Sequence, residues 1–316
     1  MPRLSCLPFM GRIARALCLV FLLPALGACV ATAPSDAVPD MVWQAAGKRY
    51  VAFDDLLRQA RAADIVLLGE THDNDAHHAL QARLFAALAE ADPGPVLVME
   101  QFDLGDQPRL DAVRVSDASP ELRLAALKLA MQPGWDWDAY RPLLAIAVEK
   151  RLEVVAANIS RAELRRGLDA QGPAELARLG LDSGWSGAQQ AQLATDISES
   201  HCSALPPAAV TAMSAAQRTR DAVMADRLLS VRAGTAVAIL GRGHVRQDLA
   251  VPWYLQKRAP AKKVLAVGLV ESATGAPDAI AYGPLGRRYD YLVLTRAATR
   301  GGDPCAAFRP ASAAAQ

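Results

Sequence analysis

The chain has little excess charge of either sign. It carries 34 basic and 33 acidic residues, and no basic stretch is interleaved with aromatic side chains. Proteins that bind nucleic acids through the phosphates present such basic surfaces. We therefore expect no nucleic-acid partner. Aromatic residues make up only 5% of the chain, so a local cluster of them carries information.

Signatures of several enzyme classes are absent. The sequence has no HExxH spacing, which places two zinc ligands on one helix face, and no GxSxG elbow, which presents a nucleophilic serine. The stretch Gly241–Val245 has two glycines but lacks the third glycine and the helix opening of a dinucleotide fingerprint. The motifs that remain must be interpreted from residue chemistry.

Cysteine is scarce, at five residues. Cys6 and Cys18 lie in an N-terminal apolar leader, and Cys29 follows it directly. Only Cys202 and Cys305 are left for the body of the chain. In an oxidising compartment these two could form a disulfide, and the sequence leaves both the paired and the free state open. Neither lies where a nucleophile is expected.

Residues 1–28 have the features of a lipoprotein signal peptide. Three arginines precede an apolar core, Ala16–Leu26, that is too short to span a bilayer. Leu26-Gly27-Ala28-Cys29 resembles a lipobox, so we expect lipidation of Cys29, with residues 29–46 as a tether. An ordinary secretory signal is the alternative. Removing the three arginines changes the formal charge from +1 to −2.

These features predict a location in the bacterial cell envelope. An acyl anchor holds a protein on a membrane without spanning it. Val30, rather than Asp, follows the cysteine, which favours the outer membrane. We therefore expect a lipid-anchored protein whose partners include that membrane.

The pattern of apolar runs predicts an α/β fold. Short runs bounded by glycine or polar residues alternate with helical periodicity, which is typical of a mostly parallel sheet flanked by helices. Residues 161–232 show no convincing strand and predict an inserted helical subdomain. The α/β core is then 47–160 and 233–296, and 297–316 forms a flexible tail. The predicted strands are 65–68, 96–99, 153–157, 235–240, 263–270 and 289–295.

Polar side chains follow these predicted strands. Four of the five histidines lie in two motifs, and His77 and His78 fall on the first turns of the helix after the first run. If the strands ending at Glu70 and Glu100 are parallel neighbours, both carboxylates reach one edge of the sheet. We predict a functional site there, formed from Glu70, His72, Glu100, Asn158, His244 and Glu271.

Carboxylates and imidazoles permit two kinds of chemistry. Glu70, His72, Glu100 and His244 form a candidate set for Zn, Mn or Fe. The same four groups are candidate catalytic residues of a metal-dependent hydrolase, in which one carboxylate acts as general base. Adjacent helical residues point about 100° apart, so His77 and His78 are not expected to bind one ion together.

The pattern of two further stretches allows two interpretations each. Residues 135–140 include three aromatic side chains within six positions. These side chains either pack in the core or form one wall of a site for a flat ligand. In the helix predicted at 208–230, Gln217, Asp221 and Met224 share one face. That face lies either against a polar site or in solvent.

The motifs together resemble the ChaN family of iron-regulated, haem-binding lipoproteins. The resemblance covers nearly all of residues 47–295 and includes the lipobox. The wider group includes Tiki proteases, TraB-like proteins and erythromycin esterases. The matching stretches are Gly69–Asp73, His77–His78, Met99–Asp103, Ala156–Ile159, Gly241–Val245 and the positions Gln217, Asp221 and Met224.

The resemblance implies haem bound as a stacked pair at a homodimer interface, with a tyrosine ligand, in an iron-acquisition protein. Tyr140, beside Trp135 and Trp137, is the tyrosine chosen here, with His77, His78 and His244 as further cofactor-binding candidates. His201 and the tyrosines at 50, 254, 282, 289 and 291 stay open as ligands. The sequence has no CxxCH motif, and the carboxylate and histidine cluster itself favours the hydrolase.

Overall fold

An eight-stranded, mostly parallel sheet carries the fold. The computed structural model describes residues 41–166, 172–181, 184–272, 283–303 and 305–308. The strands are β1 Met41–Gln44, β2 Arg49–Val51, β3 Ile65–Glu70, β4 Val96–Asp103, β5 Val154–Asn158, β6 Ala236–Gly241, β7 Val264–Ser272 and β8 Tyr291–Arg296.

The strand order is β2-β1-β8-β7-β3-β6-β4-β5. Strand β1 pairs antiparallel with β2 and β8, and all other pairs are parallel. The predicted α/β class with a mostly parallel sheet is confirmed. The carboxyl ends of β3, β6 and β4 therefore meet at one edge, where open α/β sheets bind ligands.

Helices cover both faces of the sheet. Along β3, Val66 and Leu68 pack in one apolar core, and Ile65 and Leu67 pack in a second core on the opposite face. Side chains alternate between faces, so a strand buried on both sides is a continuous apolar run. The helices are α1 Phe53–Arg61, α2 Asp75–Leu88, α3 Gln107–Val115, α4 Pro120–Ala130, α5 Trp137–Glu149, α6 Arg161–Arg166, α7 Gly172–Leu179, α8 Gly187–Ser200, α9 Pro207–Ser230 and α10 Val251–Arg258.

The ends of the folded part differ from the expected boundaries. The tether expected to reach residue 46 stops earlier, because β1 pairs Val42 with Val51 and with Val293 inside the sheet. Trp43 is buried and anchors this strand. Residues 1–40, including the signal peptide and Cys29, lie outside the described residues.

Part of the tail predicted at 297–316 makes contacts with the rest of the protein. The Arg300 guanidinium forms ion pairs with Asp73 and Glu271. A disulfide joins Cys305 to Cys202 across 103 residues, which resolves the question of their pairing. These bonds connect Arg300 and Cys305 to distant parts of the chain.

The stretch 161–232 contains α6 to α9 and no strand among its described residues. Helix α9 lies against the sheet, since Arg227 Nε donates to the Ala156 carbonyl at 3.0 Å. A separate helical subdomain stays a prediction. None of the helices in the described ranges is both long and apolar enough to cross a membrane.

Candidate functional site

The two glutamates reach the same edge of the sheet, but their strands are not neighbours. Strand β6 lies between β3 and β4, and Glu70 is in register with Gly241. A Cβ atom on Gly241 would lie 3.0 Å from the His72 ring and 3.5 Å from Glu100 Oε2. The glycine at the end of β6 therefore leaves room for both polar groups above it.

Glu70 is the centre of one polar cluster. It lies at the end of β3 and is 2% exposed. Burial raises its pKa, but hydrogen bonds from His72 and His78 outweigh burial and lower the pKa to about 2. The donors around its two oxygens are Tyr140 Oη at 2.5 Å, Gln81 Nε2 at 2.7 Å, His72 Nδ1 at 2.9 Å, Gln101 Nε2 at 3.3 Å and His78 Nδ1 at 3.3 Å.

His72 and His78 connect Glu70 to the loop that follows β3. His78 Nε2 donates to the His72 carbonyl at 3.0 Å, while Nδ1 faces Glu70. Burial lowers the pKa of both histidines, but the hydrogen bonds and charges around them, those of Glu70 first, together outweigh burial and raise it. The His72 side chain is 46% exposed, and its ring packs edge-on against Trp135. His72 is thus the accessible member of the cluster, and Glu70 orients it.

His244 is the centre of a second cluster. Its Nδ1 donates to Asp221 Oδ1 at 2.6 Å, and its Nε2 lies 3.4 Å from Glu100 Oε1. Burial lowers the pKa of His244, but the two carboxylates outweigh burial and raise it to about 10. The Gly241 amide donates to Glu100 Oε2 at 2.7 Å. Since both ring nitrogens face carboxylates, His244 is an imidazolium at neutral pH.

The pKa values of the two acids in this cluster are shifted in opposite directions. Burial raises the pKa of Glu100, but the His244 charge lowers it more, to about 2. Asp221 faces the same imidazolium, yet burial dominates and raises its pKa to about 6. Gln217 Nε2 lies 3.0 Å from His244 Nδ1. The polar face predicted on α9 therefore meets a polar site rather than solvent.

A cavity of about 860 Å³ opens above the two clusters, and we call it the first cavity. Trp135 and Ile159 supply apolar parts of its wall, and His72 and His244 lie at its base. Five carboxylates line it, from Asp73, Asp75, Glu100, Asp103 and Asp136. Glu70 and His72 form a carboxylate–histidine pair of the kind that abstracts or delivers protons.

Several predicted residues do not face this cavity. Tyr140 is 1% exposed, and its hydroxyl is bonded to Glu70, so it does not offer an open oxygen to iron. His77 is fully buried, and its Nδ1 accepts from the Thr71 amide at 2.9 Å. Glu271 bonds Asn74 and Arg300. Asn158 does line the cavity.

None of the other candidate tyrosines in the described ranges lines this cavity. Tyr254, Tyr289 and Tyr291 are buried, Tyr50 packs edge-on against Trp43, and Tyr282 lies outside the described residues. The clustered aromatics act mainly as core, with only Trp135 at the cavity.

The expected metal set is not assembled. Within the described ranges, no three or more His, Cys, Asp or Glu side chains are placed to hold a metal ion. The reason is that the acids and histidines satisfy each other, as Glu70 with His72 and Glu100 with His244. The four residues come together, but as two hydrogen-bonded clusters.

Sequence reasoning missed two features of the site. Gln81 and Gln101 both donate to Glu70. Gln81 lies three residues after His78 on α2, so helical spacing places both side chains on one face and could have predicted this donor. Gln101 follows Glu100 directly on β4, and no spacing rule predicts its contact with Glu70. The other feature is a second cavity, for which no local motif exists.

The second cavity has a volume of about 490 Å³. It lies on the far side of Gln217 and Arg220, which line both cavities. The turn Arg242–Val245 after β6 contributes His244 to the first cavity and Arg242 to the second. Its four arginines are Arg220, Arg242, Arg246 and Arg288.

A family model shows the family of the chain, and a solved structure shares its fold. A family model described as haem-binding uptake, Tiki superfamily, ChaN matches residues 56–255, more than half of the chain. The fold is similar to that of ChaN of Campylobacter jejuni, solved with cofacial haem binding. Their TM-score is 0.68 at 21% identity, over 83% of this chain and 98% of that chain. No curated protein matches the sequence.

Weaker similarity extends to two other solved structures. An erythromycin esterase mutant in its open conformation has a TM-score of 0.43 at 14% identity, over 82% of this chain and 84% of that chain. The type III effector HopBA1 has a TM-score of 0.42 at 13% identity, over 78% of this chain and 93% of that chain.

Proposed function

The chain belongs to the family described as haem-binding uptake, Tiki superfamily, ChaN, and from this membership we propose that it binds haem for iron acquisition. The family match over residues 56–255 carries the proposal. Bound haem would supply the iron. The task of the protein is to hold the porphyrin, compensate its two propionates and ligate the metal. We also propose that a homodimer encloses the haem.

The two cavities fit haem unequally. The first cavity is large enough for a cofactor, and five carboxylates line it, of which Asp73 pairs with Arg300 and Glu100 with His244. The second cavity has arginines and apolar side chains together, including Ile197 and Leu285. The arginines of the second cavity therefore suit the two propionates better than the more acidic lining of the first.

We propose further that the protein is lipid-anchored at Cys29 in the outer membrane. The support is the apolar leader and the Leu26-Gly27-Ala28-Cys29 pattern. The Cys202–Cys305 disulfide supports an oxidising compartment such as the periplasm. Expression of the full chain followed by detergent phase partitioning tests the anchor. We expect Cys29→Ser to move the protein from the detergent phase to the aqueous phase. Wild type in the aqueous phase would contradict lipidation.

A haem titration of the purified full-length chain, followed by visible absorbance, tests the function. We expect a saturable Soret shift. Sedimentation with and without haem then reports the oligomeric state. The absence of a saturable shift would overturn the haem proposal.

A second candidate function is hydrolysis in the first cavity, favoured by the half-exposed His72 oriented by Glu70. In its neutral form His72 is the candidate general base, and the acidic wall favours uncharged esters. We expect hydrolysis of p-nitrophenyl acetate to fall about 10²-fold or more in His72→Ala. Repeating the assay after chelation tests whether a divalent metal contributes. An unchanged rate in His72→Ala would count against this function.

A further inference from the structure

Helix α4 carries a buried cation that the fold does not compensate. Arg123 is 5% exposed, and its Nε and Nη1 atoms form no hydrogen bond with any group in the described ranges. Arginine keeps its proton in proteins, so this guanidinium is charged. A charge taken out of water is stable only when partners compensate it, and buried polar groups nearly always have such partners. Arg123 therefore needs an anionic partner.

Arg123 lines a small cavity, which we call the third cavity, with a volume of about 10 Å³. A cavity of roughly 10–15 Å³ holds one water-sized occupant. The third cavity therefore admits one water molecule or one monatomic ion, and no larger ligand. Its apolar wall comes from three helices and one strand, through Leu110 and Val113 of α3, Leu127 of α4, Ala147 and Val148 of α5, and Val154 of β5.

The charge at the third cavity is positive. Arg114 and Arg151 also line it, and none of its described lining residues is acidic. Arg114 Nη1 lies 3.6 Å from Glu153 Oε2, and Arg151 Nη1 donates to the Ser116 carbonyl at 3.1 Å. Glu153 thus compensates Arg114, and a carbonyl holds Arg151. Within the described ranges, Nε and Nη1 of Arg123 have neither kind of partner.

Size and charge together select the occupant of the third cavity. A water molecule fits the volume, but it leaves the charge of Arg123 uncompensated. A carboxylate or a phosphate compensates the charge, but it has several heavy atoms and exceeds the volume. A monatomic anion meets both conditions, and it accepts charge-assisted hydrogen bonds from the guanidinium.

We propose that the third cavity binds a monatomic anion such as chloride, with Arg123 as its main partner. The bound anion compensates the guanidinium and stabilises the packing of α3, α4 and α5 against β5. Helix α5 also carries Tyr140, whose hydroxyl donates to Glu70 at 2.5 Å, so the same helix supports the polar cluster of Glu70. This inference depends neither on haem binding nor on hydrolysis.

Thermal unfolding of the full-length chain tests the site. A ligand that binds only the folded state raises its stability as the ligand concentration rises above the Kd. Sodium chloride is compared with sodium gluconate and sodium acetate at equal ionic strength, which keeps the screening of surface charges constant. We expect chloride to raise the melting temperature saturably, by roughly 2–3 °C at a tenfold excess over its Kd. The same melting temperature in chloride and gluconate, or in chloride and acetate, would overturn the proposal.

Arg123→Met separates this site from other effects of salt. The substitution removes the charge and keeps an unbranched apolar side chain, so the specific response to chloride should be lost. Lys128→Met is the matched control, since it removes an exposed cation from the same helix and should keep the full response. A chloride response retained in Arg123→Met, or lost in Lys128→Met, would contradict a site at Arg123.

Crystallography of the wild-type chain provides an arm that does not depend on the folding of any variant. Crystals grown in sodium chloride are measured at a long X-ray wavelength, where chlorine scatters anomalously and water does not. We expect an anomalous peak in the third cavity beside the Arg123 guanidinium. Density there without an anomalous signal would identify a water molecule and overturn the proposal.

Discussion

Glu70 shows how one buried charge organises its neighbourhood. Its donors come from α2, β4, α5 and the loop after β3. An ionised carboxylate left without partners in the interior costs several kcal/mol, so each donor stabilises the folded state. Tyr140 belongs to this set, which is why its hydroxyl faces a carboxylate instead of a ligand cavity.

Replacing Tyr140 by Phe tests this role. We expect the free energy of unfolding to fall by about 1–2 kcal/mol, because a hydrogen bond to a buried charge is lost while four other donors remain. Urea unfolding measures the change. Tyr289→Phe is the control, since that hydroxyl donates to the neutral Arg242 carbonyl at 3.2 Å and should cost less. Equal losses would argue against an ionised Glu70.

The charged state of His244 predicts a dependence of stability on pH. Its pKa is about 10 in the folded protein and about 6.5 in the unfolded chain. A raised pKa stabilises the fold fully below the unfolded value, and this contribution is lost as pH rises through the folded value. Between pH 7 and 9, His244 should therefore lower the free energy of unfolding by about 1.4 kcal/mol per pH unit.

A neutral version of the cluster provides the comparison. The triple variant Glu100→Gln, Asp221→Asn and His244→Gln removes the three charges together. The pH dependence of the unfolding free energy that comes from His244 should therefore disappear. Urea unfolding at several pH values measures both proteins. Parallel curves for the two proteins would show that His244 is not an imidazolium in the fold.

At the scale of elements, the start of α2 links the site to the far side of the sheet. Asn74 caps the helix by accepting from the His77 amide at 3.1 Å. Its Nδ2 also donates to Glu271 Oε1 at 2.6 Å and to the Arg296 carbonyl at 2.9 Å. One side chain thus joins α2 to the ends of β7 and β8.

Asn74→Ala should therefore lower the free energy of unfolding by more than the loss of an ordinary N-cap does. We expect a loss of roughly 2–3 kcal/mol in unfolding free energy, since a cap contributes about 1 kcal/mol and buried hydrogen bonds add to it. Ser119→Ala is the matched control, because Ser119 caps α4 by accepting from the Leu122 amide at 3.4 Å. A loss no larger than that of Ser119→Ala would mean that the contacts to β7 and β8 add nothing.

At the scale of the whole molecule, the C-terminal segment holds distant parts of the chain together. Arg300 pairs with Asp73 after β3 and with Glu271 on β7. The hydrogen bond from Arg300, with those from Asn74 and the Ala298 amide, lowers the pKa of Glu271 to about 2. The disulfide closes a loop of 103 residues. Long loops lose much conformational freedom when they are closed, which destabilises the unfolded chain.

Removing the disulfide should therefore lower the free energy of unfolding. We expect the double variant Cys202→Ser and Cys305→Ser to lose about 2–5 kcal/mol of unfolding free energy. Urea unfolding with and without reductant measures this. Reductant should lower the stability of wild type to that of the variant and leave the variant unchanged. Sensitivity of the variant to reductant would show that the effect does not come from this bond.

Local pattern alone determined the main strands, α2 and the polar residues that follow β3 and β4. A strand buried on both faces must be an apolar run, and a helix start needs a capping side chain, so Ile65–Leu68 and Asn74 are recognisable without any partner. The same logic placed Glu70, His72, Glu100 and His244 at one edge of the sheet.

The tertiary structure decided which groups meet. The insertion of β6 between β3 and β4 put Gly241, rather than another side chain, between the glutamates. Tertiary packing also paired Tyr140 with Glu70, turned His77 away from the first cavity and placed His201, Arg242 and Arg288 along the second cavity. Strand order and helix packing depend on contacts between residues far apart in the chain, and no local sequence period encodes them.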